Sequence, residues 1–375
     1  MPKILQVVGY ATLGGAEKNT GLLTKAFARR GHTCHLISPP GDILPHYQAL
    51  REFGVVHHTL DFRNRPWESL ARIRALVREQ RFDLIHSHLF LADIMVYFAT
   101  LGLSGPRRIS TIHSSILAQA QLTGQSRLRQ RLLSSLAFRS FNRIFTVSES
   151  LRGESLDYFR LPPEKVVTTL NSLDFTGMTV DADKRTELAA RYGLAAPGFK
   201  IGCVGHFFPY KSQVTLIRAV GLHLRDLKDI RIFLIGDGDE REHLQAEAEK
   251  HGLADRVCFT GLQEDMNEWY SLLDMFVHTS FAEALSRSIL EAMFFGLPIV
   301  ASDIPSSREI IASGETGLFF PSGDDLKLAE SIRSIHGDRS KAAAMGARAK
   351  RFVLENCSME ATIDTLLAHS LPQRN

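Results

Sequence analysis

Short apolar runs alternate with amphipathic stretches along the whole chain. Lys3–Val8 reads as a buried strand, and Gly14-Gly-Ala-Glu17 opens a helix running to about Arg30. Thr33–Ser38, Asp83–His86, Arg108–His113, Arg143–Val147 and Val166–Leu170 read as further strands. Strands that alternate with helical patterns predict parallel, doubly wound sheets in an α/β protein. Residues 175–198 break the alternation with Thr-Gly-Met-Thr, a charged helical stretch and Ala-Ala-Pro-Gly, which reads as a link. The pattern then restarts. Lys200–Val204, Arg231–Ile235, Val257–Thr260, Met275–His278 and Pro298–Ala301 are strands, and Ser212–His223 and Glu240–His251 are helices. A further helix falls between the last two strands. The expected domains are 1–175 and 199–357, with 176–198 as linker and a terminal helix in 358–375 that can cross back to the first domain. Two Rossmann-like halves facing each other across a cleft follow, with ligands beyond the carboxyl ends of the strands.

The 375 residues suit two domains, and 44% apolar with 23% charged residues is a globular composition. No apolar run reaches the ~20 residues of a membrane span. The N-terminus enters a strand directly, without signal-peptide anatomy. Four scattered cysteines lack metal or disulfide spacing, which points to reduced thiols and a cytoplasmic setting. Charge is divided unevenly. Residues 1–175 carry 22 Lys/Arg against 13 Asp/Glu, and residues 176–375 carry 22 against 28. Residues 94–148 contain no acid and seven arginines. Within them, 125–143 mixes Leu128, Leu132, Leu136 and Phe138 with Arg127, Arg129, Arg131 and Arg139. Such a helix can lie on an anionic membrane, or pack on a core with a solvated basic face.

The chemistry concentrates at strand ends. Glu283 and Glu291 stand eight positions apart before Gly296-Leu-Pro-Ile-Val-Ala. At ~100° per residue they share a helix face only loosely. They converge if Glu283 lies in the loop before the helix and Glu291 two turns inside it. The helix N-terminus between them then suits a phosphate, and Glu291 can accept from ribose hydroxyls. Lys211, in the loop after Lys200–Val204, can neutralise a diphosphate or simply be solvated. Gly14-Gly15 permits close backbone approach or makes a plain turn. His113 can bond a sugar hydroxyl, accept a proton, or be structural. His86 and His88 form an HxH with no third metal ligand evident. Asp237-Gly-Asp239 reads as a tight turn, and no metal site is expected.

Taken in order, Gly14-Gly-Ala-Glu17, Phe82-Asp-Leu-Ile-His-Ser-His88, Thr111-Ile-His113, Phe145-Thr-Val-Ser-Glu149, Asn171-Ser-Leu-Asp174, Val204-Gly-His…Lys211, Leu234-Ile-Gly-Asp-Gly238, Phe276-Val-His-Thr-Ser280, Glu283 to Glu291, Gly296-Leu-Pro-Ile-Val-Ala301 and Glu309…Gly314…Gly317-Leu resemble the retaining glycosyltransferases of family 4, of GT-B fold.

The resemblance implies hexosyl transfer from a nucleotide diphosphate sugar to a lipid-linked or polysaccharide acceptor in cell-envelope glycan synthesis, without cofactor, metal or enzymic nucleophile. It implies that Glu291 holds the ribose and that Glu283 lies at the donor sugar. Amides around Ala284, Leu285 and Ser286, with Lys211, would bind the diphosphate. Gly15 would admit the phosphates to the first half, and His113 would face the transferred sugar. The family commonly has Arg where this chain has His206, so phosphate binding would rest more on Lys211, or be shared by Arg287. Asn171-Ser stands for a usual Asn-Gly. Peripheral membrane attachment through 125–143 fits a lipid-linked acceptor, and nucleic acid is not an expected partner. A non-catalytic sugar-nucleotide-binding subunit and a GT-B-fold epimerase are the alternatives. A phosphorylase would need a pyridoxal lysine, for which there is no signature.

Overall fold

The computed structural model describes residues 1–12, 14–115, 127–264 and 266–372; for 127–130 it describes backbone only. The chain divides into two compact units, Met1–Asp174 with Met359–Asn375, and Phe175–Ser358.

Among the described residues the first unit holds seven strands: β1 (Lys3–Val8), β2 (Thr33–Ser38), β3 (Val56–Thr59), β4 (Leu84–His88), β5 (Arg107–Ile112), β6 (Arg143–Thr146) and β7 (Val166–Thr168). They pair in parallel in the order β3-β2-β1-β4-β5-β6-β7. Because successive side chains point to opposite faces, β1 feeds two cores. Leu5 and Val7 pack with Ile37, Ile85 and Ile144, while Ile4 and Val8 pack with Phe27, Leu84 and Phe145. The second core also takes Met359, Ile363 and Leu366 from the terminal helix Met359–Ser370. Arg30 ties that helix to Gly15–Arg29 through Glu360 (2.5 Å) and Asp364 (2.6 Å).

The described residues of the second unit form six strands: β8 (Phe199–Val204), β9 (Ile230–Ile235), β10 (Val257–Phe259), β11 (Met275–His278), β12 (Ile299–Ser302) and β13 (Leu318–Phe320). Their order is β10-β9-β8-β11-β12-β13, again all parallel. The charged helical stretch expected within the link is the helix Ala182–Arg191, packed on Met266–Leu272 of this unit. Asp181 caps it by accepting from the amides of Asp183 and Lys184. β3 and β13 carry too little apolar patterning to stand out in the sequence. Each lies at a sheet edge, and β3 has no buried residue.

In both sheets the winding direction reverses between the first strand and its later neighbour, at β1/β4 and at β8/β11. Side chains at the carboxyl ends of those strands therefore converge on the crevice that open α/β sheets use for ligands. No described helix is long and apolar enough to cross a membrane.

Candidate active site

Two loops meet at the switch point of the second sheet. The loop after β8 runs Gly205 to Ser212, and the loop after β11 runs Thr279 to Ser286. They are stitched together by Phe281 N to Tyr210 O (2.8 Å) and Thr279 Oγ1 to Lys211 O (2.6 Å). Gly205 has φ +151°, a backbone conformation that residues with a side chain rarely adopt, and the Lys211 stem passes in ordinary contact with the position of a Cβ there, at 3.9–4.0 Å.

This stitching brings Lys211 onto Glu283. Lys211 Nζ bonds Glu283 Oε1, which also accepts from Ser280 Oγ (2.8 Å) and faces His278 Nε2 (3.3 Å). Both side chains are largely buried, at 19% and 15% exposure. Burial works against either charge, yet the mutual attraction prevails. It holds the Glu283 carboxyl well below the usual range and raises Lys211. Glu283 is thus a fixed carboxylate, and Lys211, expected to face a diphosphate, already has an anionic partner.

The helix Arg287–Phe294 follows at once. Ser286 is its N-cap residue in extended conformation. Its hydroxyl bonds Ser288 Oγ (3.0 Å) and makes no cap hydrogen bond to the helix backbone. Ala284, Leu285 and Ser286 are buried. Glu283 does lie in the loop, as convergence requires. Glu291, however, is the fifth helical residue, one turn inside and not two, because the loop keeps the chain non-helical through Ser286. Both Glu291 oxygens are held: Oε1 accepts from Arg287 Nε (2.8 Å) and Oε2 from the Tyr270 hydroxyl (3.0 Å). Burial, then Glu291, pushes the Tyr270 phenol well above its ordinary value, so it stays a donor. Each carboxylate oxygen keeps lone-pair capacity for a further donor.

The family's usual arginine position is occupied by His206, whose ring lies beside Phe208 (5.6 Å between centroids) and whose carbonyl accepts from Gln213 Nε2 (3.1 Å). Asp237 accepts from Gly238 N (2.9 Å) and from Arg241 (2.9 Å).

In the first unit, Gly15 starts its helix with open space where a Cβ would be, whereas one at Gly14 would strike the Glu17 carboxylate at 2.5 Å. Neighbouring Leu13 lies outside the described residues. His113, just past β5, is bonded through Nε2 to His88 Nδ1 (2.9 Å). Burial pushes it down to about 4, so it is neutral at ordinary pH. Residues 125 and 126, and the side chains of Arg127, Leu128 and Arg129, lie outside the described part of the basic segment. Its described part through Ser140 forms helix Arg127–Ser140, where Leu132 and Leu136 are 56% and 51% exposed, and Arg143 begins β6. With Arg131, Arg139 and Arg160 they line a shallow cavity of about 320 Å³.

The structure therefore joins Lys211 with Glu283, and Glu291 with Arg287, within one unit. Tyr270, His278 and Ser280 were not anticipated. Ser280 and His278 follow from lying at the end of β11, a signal available in the sequence. Tyr270 lies 21 residues before Glu291 on a different helix, and no spacing rule links them.

Residues 13–176 match the model of Glycosyltransferase Family 4, and residues 184–352 that of Glycosyl transferases group 1. The chain is 29% identical over 204 residues to the lipopolysaccharide core biosynthesis glycosyltransferase LpsE of Rhizobium meliloti, a stretch covering 54% of this chain and 57% of that protein. It is 22% identical over 364 residues to the N-acetyl-alpha-D-glucosaminyl L-malate synthase of Bacillus anthracis, covering 94% and 92% of the two. The structure of Anabaena HepE in complex with UDP-glucose superposes with a TM-score of 0.84 at 21% identity, over 98% of each chain. That likeness identifies the fold as GT-B. The chain has the GT-B fold and is related to the group 1 and family 4 glycosyltransferases.

Proposed function

We propose that the protein is a retaining hexosyltransferase that moves a sugar from a nucleotide diphosphate donor to a lipid-linked or polysaccharide acceptor in cell-envelope glycan synthesis. The observation that carries this reading is the pair of fixed carboxylates, Glu283 and Glu291, flanking the start of the 287–294 helix. In this account Glu291, braced by Tyr270 and Arg287, accepts from the ribose hydroxyls. The helix start at 284–286 receives the diphosphate, and its positive end offsets the charge that grows on the leaving group. Lys211 adds charge there. Because it is paired with Glu283, the donor must draw it from, or share it with, that carboxylate.

Glu283 is then the group at the donor sugar, with His113 at a sugar hydroxyl. Gly15 gives the phosphates an unobstructed backbone, and His206 contributes less than an arginine would. The sugar passes through an oxocarbenium-like state. No side chain is assigned as nucleophile; a donor phosphate oxygen would assist removal of the acceptor proton. A UDP-glucose complex of a protein of this fold supports a hexose donor, and lipopolysaccharide-core assignments of relatives support an envelope acceptor. We place the protein on the cytoplasmic face of a membrane, held by Leu132, Leu136 and the surrounding arginines.

The test is incubation of the purified protein with UDP-, GDP- and ADP-hexoses. Release of nucleoside diphosphate with the anomeric configuration kept in the product is expected. Binding without turnover indicates a non-catalytic subunit, and inversion removes the retaining assignment.

A further inference from the structure

The HxH pair is the motif that the proposed transfer leaves without a task. Along β1, β4 and β5 the register sets Gln6 beside His86 and His88 beside Thr111. Side chains alternate along each strand, so Gln6, His86, His88 and Thr111 share one face. His113 continues that face two residues beyond Thr111.

On this face Gln6 Oε1 lies 2.8 Å from His88 Nε2, and His88 Nδ1 lies 2.9 Å from His113 Nε2. Gln6 and His88 are fully buried. As the Gln6 amide stands, its Oε1 faces His88 and its Nε2 is buried without a partner among the described residues; an amide oxygen only accepts, so in this orientation His88 Nε2 carries a hydrogen. A neutral imidazole has one N–H, which leaves a lone pair on His88 Nδ1. His113 Nε2 must then be the donor, and the lone pair of His113 is on Nδ1. That atom has no partner among the described residues and is not a buried unpaired atom.

Neutrality of the chain has physical support. Burial holds His88 well below its ordinary value and His113 near 4. His86 is packed against His88 with ring centroids 4.0 Å apart, and its Nε2 lies 2.7 Å from Thr111 Oγ1. The nearby acid, Asp93, accepts from Ser87 and Ser110, which alternate to the opposite face.

We propose that Gln6 and His88 are positioning residues that lock His113 with its hydrogen on Nε2 and its lone pair on Nδ1, so that the site takes a sugar hydroxyl as a hydrogen-bond donor. This rests on the reading of His113 as a sugar contact. It makes a selectivity statement as well: a sugar capped or deoxygenated at that hydroxyl loses its contact and is discriminated against.

The test is a two-bond ¹H–¹⁵N correlation spectrum of the full chain with ¹⁵N-labelled histidine, assigned by comparison with His113→Ala. The expected spectrum shows His113 protonated at Nε2 and imine-like at Nδ1. Gln6→Met keeps the side-chain length but removes the acceptor. It should mix the two tautomers and lower kcat/KM by roughly three- to tenfold. A wild-type spectrum with the hydrogen on Nδ1, or an unchanged tautomer in Gln6→Met, overturns the proposal. If Gln6→Met does not fold, the wild-type spectrum decides alone. Unchanged turnover of His113→Ala overturns the sugar-contact reading separately, since the tautomer is measured without substrate.

Discussion

The Tyr270 hydroxyl donates to Glu291 Oε2 across 3.0 Å, joining the helix Met266–Leu272 to the helix Arg287–Phe294. With Arg287 on the other oxygen, it holds the carboxylate in one orientation before any ligand arrives. Preorganised groups of this kind bind without an ordering cost at the moment of binding.

Tyr270→Phe should therefore weaken binding of the nucleoside diphosphate by roughly three- to tenfold while leaving the fold intact, since one hydrogen bond is lost and little volume changes. Isothermal titration with UDP and GDP checks this. An affinity equal to wild type means that Glu291 does not need the brace.

Lys211 and Glu283 should behave as a coupled pair. Lys211→Met leaves Glu283 with Ser280 and His278 as donors and should cost about 2 kcal/mol. That is less than for a fully buried pair, because both groups keep some solvent contact. The double variant Lys211→Met/Glu283→Gln should regain part of this stability without regaining turnover. Trp269 is fully buried in the second unit, whereas Trp67 is 81% exposed in the first, so Trp269 fluorescence in a Trp67→Phe background reports on the right unit. Strictly additive losses would mean that the pair is not coupled.

The first unit should lose stability as pH falls below about 6.5. Burial lowers His86 to about 3 and His113 to about 4, and His88 lies well below its ordinary value. Between those values and 6.5 the unfolded chain binds protons that the folded chain refuses, so stability is full above 6.5 and drains away toward the folded values. Each such group contributes up to about 1.4 kcal/mol per pH unit in that window. Asp93, raised to about 7 by burial, works in the opposite sense and offsets one of them. The thermal midpoint measured from pH 7 to 4.5 should fall, and His86→Asn should flatten the slope by about one proton. A slope that His86→Asn leaves unchanged contradicts the assignment.

Leu132 and Leu136, half exposed among Arg131, Arg139 and Arg160, should anchor the protein on anionic vesicles. Co-sedimentation with phosphatidylglycerol vesicles is expected, with a roughly tenfold loss for Leu132→Ser/Leu136→Ser. Equal pelleting with neutral vesicles, or none with either, removes this part of the account.

Much of the architecture was readable in the chain because a parallel strand buried on both faces leaves a nearly continuous apolar run, as in Ile299–Ala301 and, broken only by Gln6, in Ile4–Val8. Val56–Thr59 left none. It is an edge strand whose Val56 is exposed. The acid pair was readable from its spacing, but its orientation was not. Ser286 keeps the loop extended, which puts Glu291 one turn inside its helix and not two. Likewise Lys211 could be nominated from its place after β8, whereas its ion pair with Glu283 depends on contacts between loops 72 residues apart. Tyr270 and the Gln6–His88–His113 chain are relations across strands and helices, set by register, which a linear pattern does not encode.

The central claim is that Glu291 anchors the nucleotide of the donor. Its most direct measurement is calorimetric titration of UDP, GDP and ADP into wild type and Glu291→Ala, with folding of the variant confirmed by its thermal midpoint. The account predicts saturable binding of one of the three by wild type and loss of at least about tenfold in affinity in the variant. Binding of equal strength to a folded Glu291→Ala protein would contradict it.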